Sequence, residues 1–168
     1  MKKNNYILTG EEKKKIDHWI AKFPAGKQQS AVLMALRIMQ DQHGWLHDEH
    51  LDAVAVYLNM PNVTVYEVAS FYSMYKRVQK GKYVLKVCAS ISCHLCQAHD
   101  VIHHIEKKLK IKLGETTKDG LFTLEEAECL AACTQAPVLI VNDVDTHVSV
   151  TKEKVDQLIQ ELQQRGSV

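Results

Sequence analysis

Five cysteines constrain this chain more than any other feature, because residues 1–87 contain none and all five stand between positions 88 and 133. They fall into two groups, Cys88, Cys93 and Cys96, then Cys129 and Cys133. The opening MKKNNYILTGEEKKK lacks an apolar stretch followed by a small-residue cleavage site, so no export signal is expected. In a reducing compartment structural disulfides are rare, and clustered thiols serve as metal ligands or redox groups. Burial as a small apolar side chain accounts for one stray cysteine but poorly for two tight groups.

Three spacings compete. Cys93-His94-Leu95-Cys96 is a C-x-x-C dithiol between a strand and a helix, the arrangement of a thiol–disulfide oxidoreductase. Cys88, Cys93 and Cys96 with one distant cysteine match plant-type ferredoxin spacing. The pairs Cys88/Cys93 and Cys129/Cys133, with Cys96 outside, give four thiolates that suit zinc or an iron–sulfur centre. Spacing alone reaches a four-thiolate metal site and leaves a zinc-stabilised adaptor open.

Periodicity divides the chain near residue 80. Before it, Thr9 and Glu12 form a capping box ahead of Ile16, Trp19, Ile20 and Phe23, with Pro24 beyond. Further helices are predicted from Gln28 to His43, from Asp48 to before Pro61, and behind a second capping box at Thr64 and Glu67. After it, Tyr83 to Cys88 alternates as a strand, and Leu95, Ala98, Ile102, Ile105 and Leu109 predict one helix. Leu121 to Glu128, Val138 to Val141 and His147 to Val150 read as strands, and Val155, Leu158, Ile159 and Leu162 as a last helix. The expected class is α/β (α+β), a helical bundle over 1–80 and a mixed sheet flanked by helices over 81–168. Apolar runs stop at six residues, Ala31 to Leu36 for example, so no bilayer span is expected. A net charge of +1 offers no electrostatic case for nucleic acid.

The segments VCASISCHLC, FTLEEAECLAACTQAPV and VNDVDTHVSVT resemble the 24 kDa-type subunit family of respiratory complex I. GWLHDEHLDAVAVYLNMP and VYEVASFYSMY are similar to that family's helical N-terminal half. The resemblance implies a thioredoxin-like ferredoxin domain in which Cys88, Cys93, Cys129 and Cys133 ligate one [2Fe–2S] cluster. It implies an electron carrier of NADH:quinone oxidoreductase, without a substrate site of its own. FMN and NADH are then expected on a larger partner subunit, among other peripheral-arm subunits. The expected location is cytoplasmic, peripheral on the inner face of the membrane, or matrix-side if mitochondrial. Small subunits of NAD-linked hydrogenases and formate dehydrogenases share this architecture. The family usually has glycine where this chain has Ala131, and no ligand at Cys96.

Around the thiols, the turn Ala89 to Ser92 and the loop Leu130 to Ala132 are short and small-chained, so backbone amides are expected to face sulfur. A helix starting near Cys93 would add its positive end. Glu125, Glu126 and Glu128 are read as a solvated strand edge, with a sharper alternative that they hold the reduction potential low. His94 is expected beside the centre or facing water, and His103 and His104 exposed. Phe71, Tyr72 and Tyr75 are read as packing or partner surface.

Overall fold

A computed structural model describes residues 6–166. Residues 1–5, part of the opening read for an export signal, and residues 167–168 lie outside that range. The chain divides between Gln79 and Lys80 into two compact units.

The first unit is helical. α1 (Gly10–Ile20) starts at the capping box: Glu12 N–H donates to Thr9 Oγ1, and Thr9 N–H donates to Glu12 Oε2 at 2.7 Å. Such a cap contributes about 1 kcal/mol. A 3-10 turn (Gln28–Ala31) leads into α2 (Val32–His43), which ends at Gly44 in the left-handed region, φ 80°. α3 (Asp48–Tyr57) and α4 (Asn62–Phe71) complete the unit. Ile16, Leu36, Met39, Leu51, Val54, Ala55, Leu58 and Val65 are fully buried, one apolar stripe from each helix. The second predicted capping box is not used. Asn62 starts α4 directly after Pro61, whose φ is already near the helical value, so Thr64 and Glu67 lie inside the helix.

Beyond α4 the chain is pinned back on α2. Gln40 Nε2 donates to the Met74 carbonyl at 3.0 Å, and Lys76 N–H donates to Gln40 Oε1 at 2.6 Å. Tyr75 is buried and donates to the Leu33 carbonyl, whereas Phe71 is 81% exposed. The aromatic run thus splits between packing and surface.

The second unit opens with β1 (Tyr83–Cys88), then α5 (Ile91–Leu95) and α6 (Ala98–Leu109). β2 (Phe122–Ala127), β3 (Leu139–Val141), β4 (Asp145–His147) and α7 (Lys152–Gly166) follow. The sheet order is β2-β1-β3-β4, with β1 parallel to β2 and the other pairings antiparallel. Leu85, Val87, Phe122, Leu124, Leu139 and Val141 meet Ile102, Ile105, Val155, Ile159 and Leu162 in its core. The one helix expected between β1 and β2 is two. Gln97 takes φ 67° and breaks it, which throws Leu95 out of phase with Ala98 and Ile102 and leaves it 76% exposed. The last strand also comes earlier than predicted. Asn142 and Asp143 both adopt positive φ, a tight hairpin turn that starts pairing at Asp145.

Candidate metal centre

Cys88 is the last residue of β1 and pairs in register with Ala127, the last residue of β2. Parallel strands end at the same sheet edge, so the loops leaving them start side by side. Ala89 N–H donates to the Ala127 carbonyl at 2.9 Å, extending the pairing one step. The Ser90 hydroxyl then donates to the Glu128 carbonyl. Cys129 follows at once, and Cys133 opens a 3-10 turn (Cys133–Gln135) ahead of β3. Topology therefore carries two cysteine loops from distant parts of the sequence to one place.

Backbone amides face the sulfurs. The N–H groups of Ser90 and of Leu130, the latter from the opposite loop, and the Ser90 hydroxyl lie close enough to Cys88 Sγ to favour its thiolate. Burial opposes ionisation of Cys88, yet these donors and the Cys93 thiol outweigh it and hold its pKa below the ordinary thiol value. Burial pushes Cys93 up to about 11, aided by its bond to Cys88 and by the charges of Cys88 and Cys133, against one N–H from Val138. Cys88 and Cys93 are neighbours whose titrations are linked, so their protons belong to the pair. In the second loop, Ala131 N–H donates to Cys129 Sγ at 3.4 Å. Ala131 itself has φ 56°, the left-handed conformation that glycine adopts without a Cβ penalty.

Cys88 and Cys93 are buried, whereas Cys129, Cys133 and Cys96 are exposed. Cys96 caps the end of α5. A reactive thiol of an oxidoreductase pair needs a lowered pKa, and Cys93 has the opposite shift. Among the described residues, no three His, Cys, Asp or Glu side chains are grouped to hold a metal ion. A structural zinc ion needs four donors around a single point. A binuclear iron–sulfur core is wider and takes two thiolates on each iron. One buried pair beside one exposed loop pair, each supplied with N–H donors, fits the second demand.

Other expectations change. Cys93 lies inside α5 rather than at its start, and α5 is only five residues long. His94 is exposed and packs edge-on against His99, ring centroids 4.7 Å apart. His104 is half-buried and bonds Asp156 of α7 at 2.9 Å, because α6 and α7 close on each other there. Glu125 is not a free edge charge. It pairs with Lys80 at 2.6 Å and approaches Lys86, which also binds Asp143. Sequence reasoning missed the role of Ser90. Its only signal is a capping-type residue ahead of a helix, and the hydroxyl is used elsewhere.

The second unit is a mixed-sheet domain in which two cysteine-bearing loops leave the ends of two neighbouring parallel strands. Residues 16–163 match the family described as thioredoxin-like [2Fe-2S] ferredoxin. The chain belongs to that family, whose defining cofactor is an iron–sulfur cluster. It is 46% identical to an NADH-quinone oxidoreductase subunit of Rickettsia felis, over 84% of this chain and 85% of the relative. It is 37% identical to the NADH-quinone oxidoreductase subunit 2 of Thermus thermophilus, over 86% of this chain and 80% of the relative. In structure it is similar to an NAD+-reducing [NiFe]-hydrogenase in the air-oxidised state, TM-score 0.70 at 19% identity. That likeness covers 80% of this chain and 23% of the hydrogenase chain, and shows the fold alone.

Proposed function

We propose that this chain is the small electron-transfer subunit of an NADH:quinone oxidoreductase, holding one [2Fe–2S] cluster through Cys88, Cys93, Cys129 and Cys133. The observation that carries the reading is the parallel register Cys88 to Ala127, which sets both cysteine loops at one sheet edge. When bound, such a cluster stores one electron at a time. The chain's own part is to supply thiolates, aim the N–H groups of Ser90, Leu130, Val138 and Ala131 at sulfur, and bury one side of the site. N–H donors offset the thiolate charge that the sheet edge would otherwise bury at high cost.

The names of the curated relatives favour the quinone-linked complex over the hydrogenase, with which the chain shares a fold. The electron donor is then the FMN of a larger NADH-binding subunit, in an assembly with other peripheral subunits. No helix among the described residues is long and apolar enough to cross a membrane. We place the chain on the cytoplasmic or matrix face through that assembly. The helical bundle over 1–80 and the cluster domain over 81–168 are read as separate domains.

Anaerobically purified protein is expected to be red-brown, with about two irons and two sulfides per chain and an EPR signal only after reduction. Cys96→Ser keeps the cluster; Cys133→Ser loses or perturbs it. A colourless protein with bound zinc, or cluster loss in Cys96→Ser alone, would overturn the assignment.

A further inference from the structure

We propose that Ser90 is the positioning residue of this site: its hydroxyl fastens the Cys129 loop to the Cys88 loop through the Glu128 carbonyl, and so raises the reduction potential and lengthens the life of the cluster. The inference rests on the ligand set proposed above.

Ser90 occupies the N-cap of α5, with φ −61° and ψ 158°. A serine there normally turns its oxygen on the first N–H groups of its helix. This one makes no such bond; its hydroxyl goes to Glu128 and also lies against Cys88 Sγ. Its own N–H lies near Cys88 Sγ and favours the thiolate there. One residue therefore stands between a proposed ligand sulfur and the opposite loop, its side chain touching both.

The Glu128 carbonyl has two donors among the described residues, the Ser90 hydroxyl and the Cys88 thiol at 3.5 Å. A Cys88 that ligates iron is a thiolate and has no proton to give. The Ser90 hydroxyl is then the one side-chain donor among the described residues left between a carbonyl oxygen and a sulfur anion that face each other. Without the hydroxyl, two acceptors oppose each other, and each added electron worsens the repulsion. Hydrogen bonding around the sulfurs sets the potential of such centres, and loss of an outer partner typically costs about 10–100-fold in metal affinity.

Ser90→Thr and Ser90→Val differ by a hydroxyl against a methyl, so their comparison isolates the bond from the volume change. The full-length variants are purified anaerobically, checked for folding by circular dichroism, and compared by redox titration and by cluster lifetime in a chelator. Ser90→Thr is expected to follow the unmodified chain. Ser90→Val is expected to show a more negative midpoint and a lifetime about 10-fold shorter, or to fold without retaining the cluster. Equal midpoints and lifetimes in the two variants would overturn the inference, as would a shift in Ser90→Thr as large as in Ser90→Val. Failure of the unmodified chain to bind a cluster would instead overturn the ligand assignment itself.

Discussion

At residue scale, Ala131 shows how a backbone angle and a ligand loop depend on each other. Its φ of 56° points its N–H at Cys129 Sγ, a geometry for which an L residue is penalised by about 1–2 kcal/mol. Glycine removes the Cβ clash but adds entropy to the unfolded chain. Ala131→Gly is therefore expected to stabilise the protein by roughly 0.5–1 kcal/mol, read as a higher urea midpoint at unchanged slope. A midpoint equal to or below the original would show that the loop carries no penalty. In the sequence the position stands out only through family resemblance. Alanine carries no chemical mark of a left-handed backbone, so nothing local points to it.

At the scale of elements, what was legible followed from strong local signals. The capping box at Thr9 and Glu12, the alternation from Tyr83 to Cys88 and the glycine after His43 each state a boundary in side-chain chemistry, and each boundary falls there in the fold. What was not legible depended on partners remote in sequence. Gln97 breaks a helix without glycine or proline, so the stripe from Leu95 to Ile105 looks continuous in the sequence. His104 looks free until α7 brings Asp156 to it. The entry to β1 has the same character. A Cβ on Gly81 would stand 2.8 Å from the Phe122 carbonyl carbon and 3.0 Å from that of Leu121, both rigid backbone at the neighbouring strand. Gly81 N–H also donates to Thr123 Oγ1 at 2.7 Å. Gly81→Ala is expected to destabilise by about 1–3 kcal/mol, seen as a lower thermal midpoint. An unchanged melt would mean that the two strands part freely there.

At the scale of the whole molecule, acid should act on the first unit in particular. His50 is buried and stacks on His43, ring centroids 4.3 Å apart. Burial first, then the His43 charge, holds its pKa below the ordinary imidazole value of 6.5. Above that value folded and unfolded rings are both neutral; below it the unfolded chain takes a proton that the folded one refuses, so stability falls with pH. Glu12 acts in the same sense. Burial raises its pKa, but bonds from Thr9, His43 and Tyr6 prevail and lower it from 4.5, so its contribution fades as pH drops below that range. Both tryptophans, Trp19 and Trp45, lie in this unit, so intrinsic tryptophan fluorescence reports on it alone. The urea midpoint by fluorescence is expected to fall between about pH 7.5 and about pH 5, and His50→Gln to flatten the change; a pH-independent midpoint would refute it. The parallel pairing of β1 with β2 also imposes an order on biogenesis. A nascent chain presents Cys88 and Cys93 to the cell before Cys129 and Cys133 have been translated. Iron delivered during that interval would meet half a socket, so under the proposed ligand set cofactor insertion has to wait until the crossover through α5 and α6 has closed.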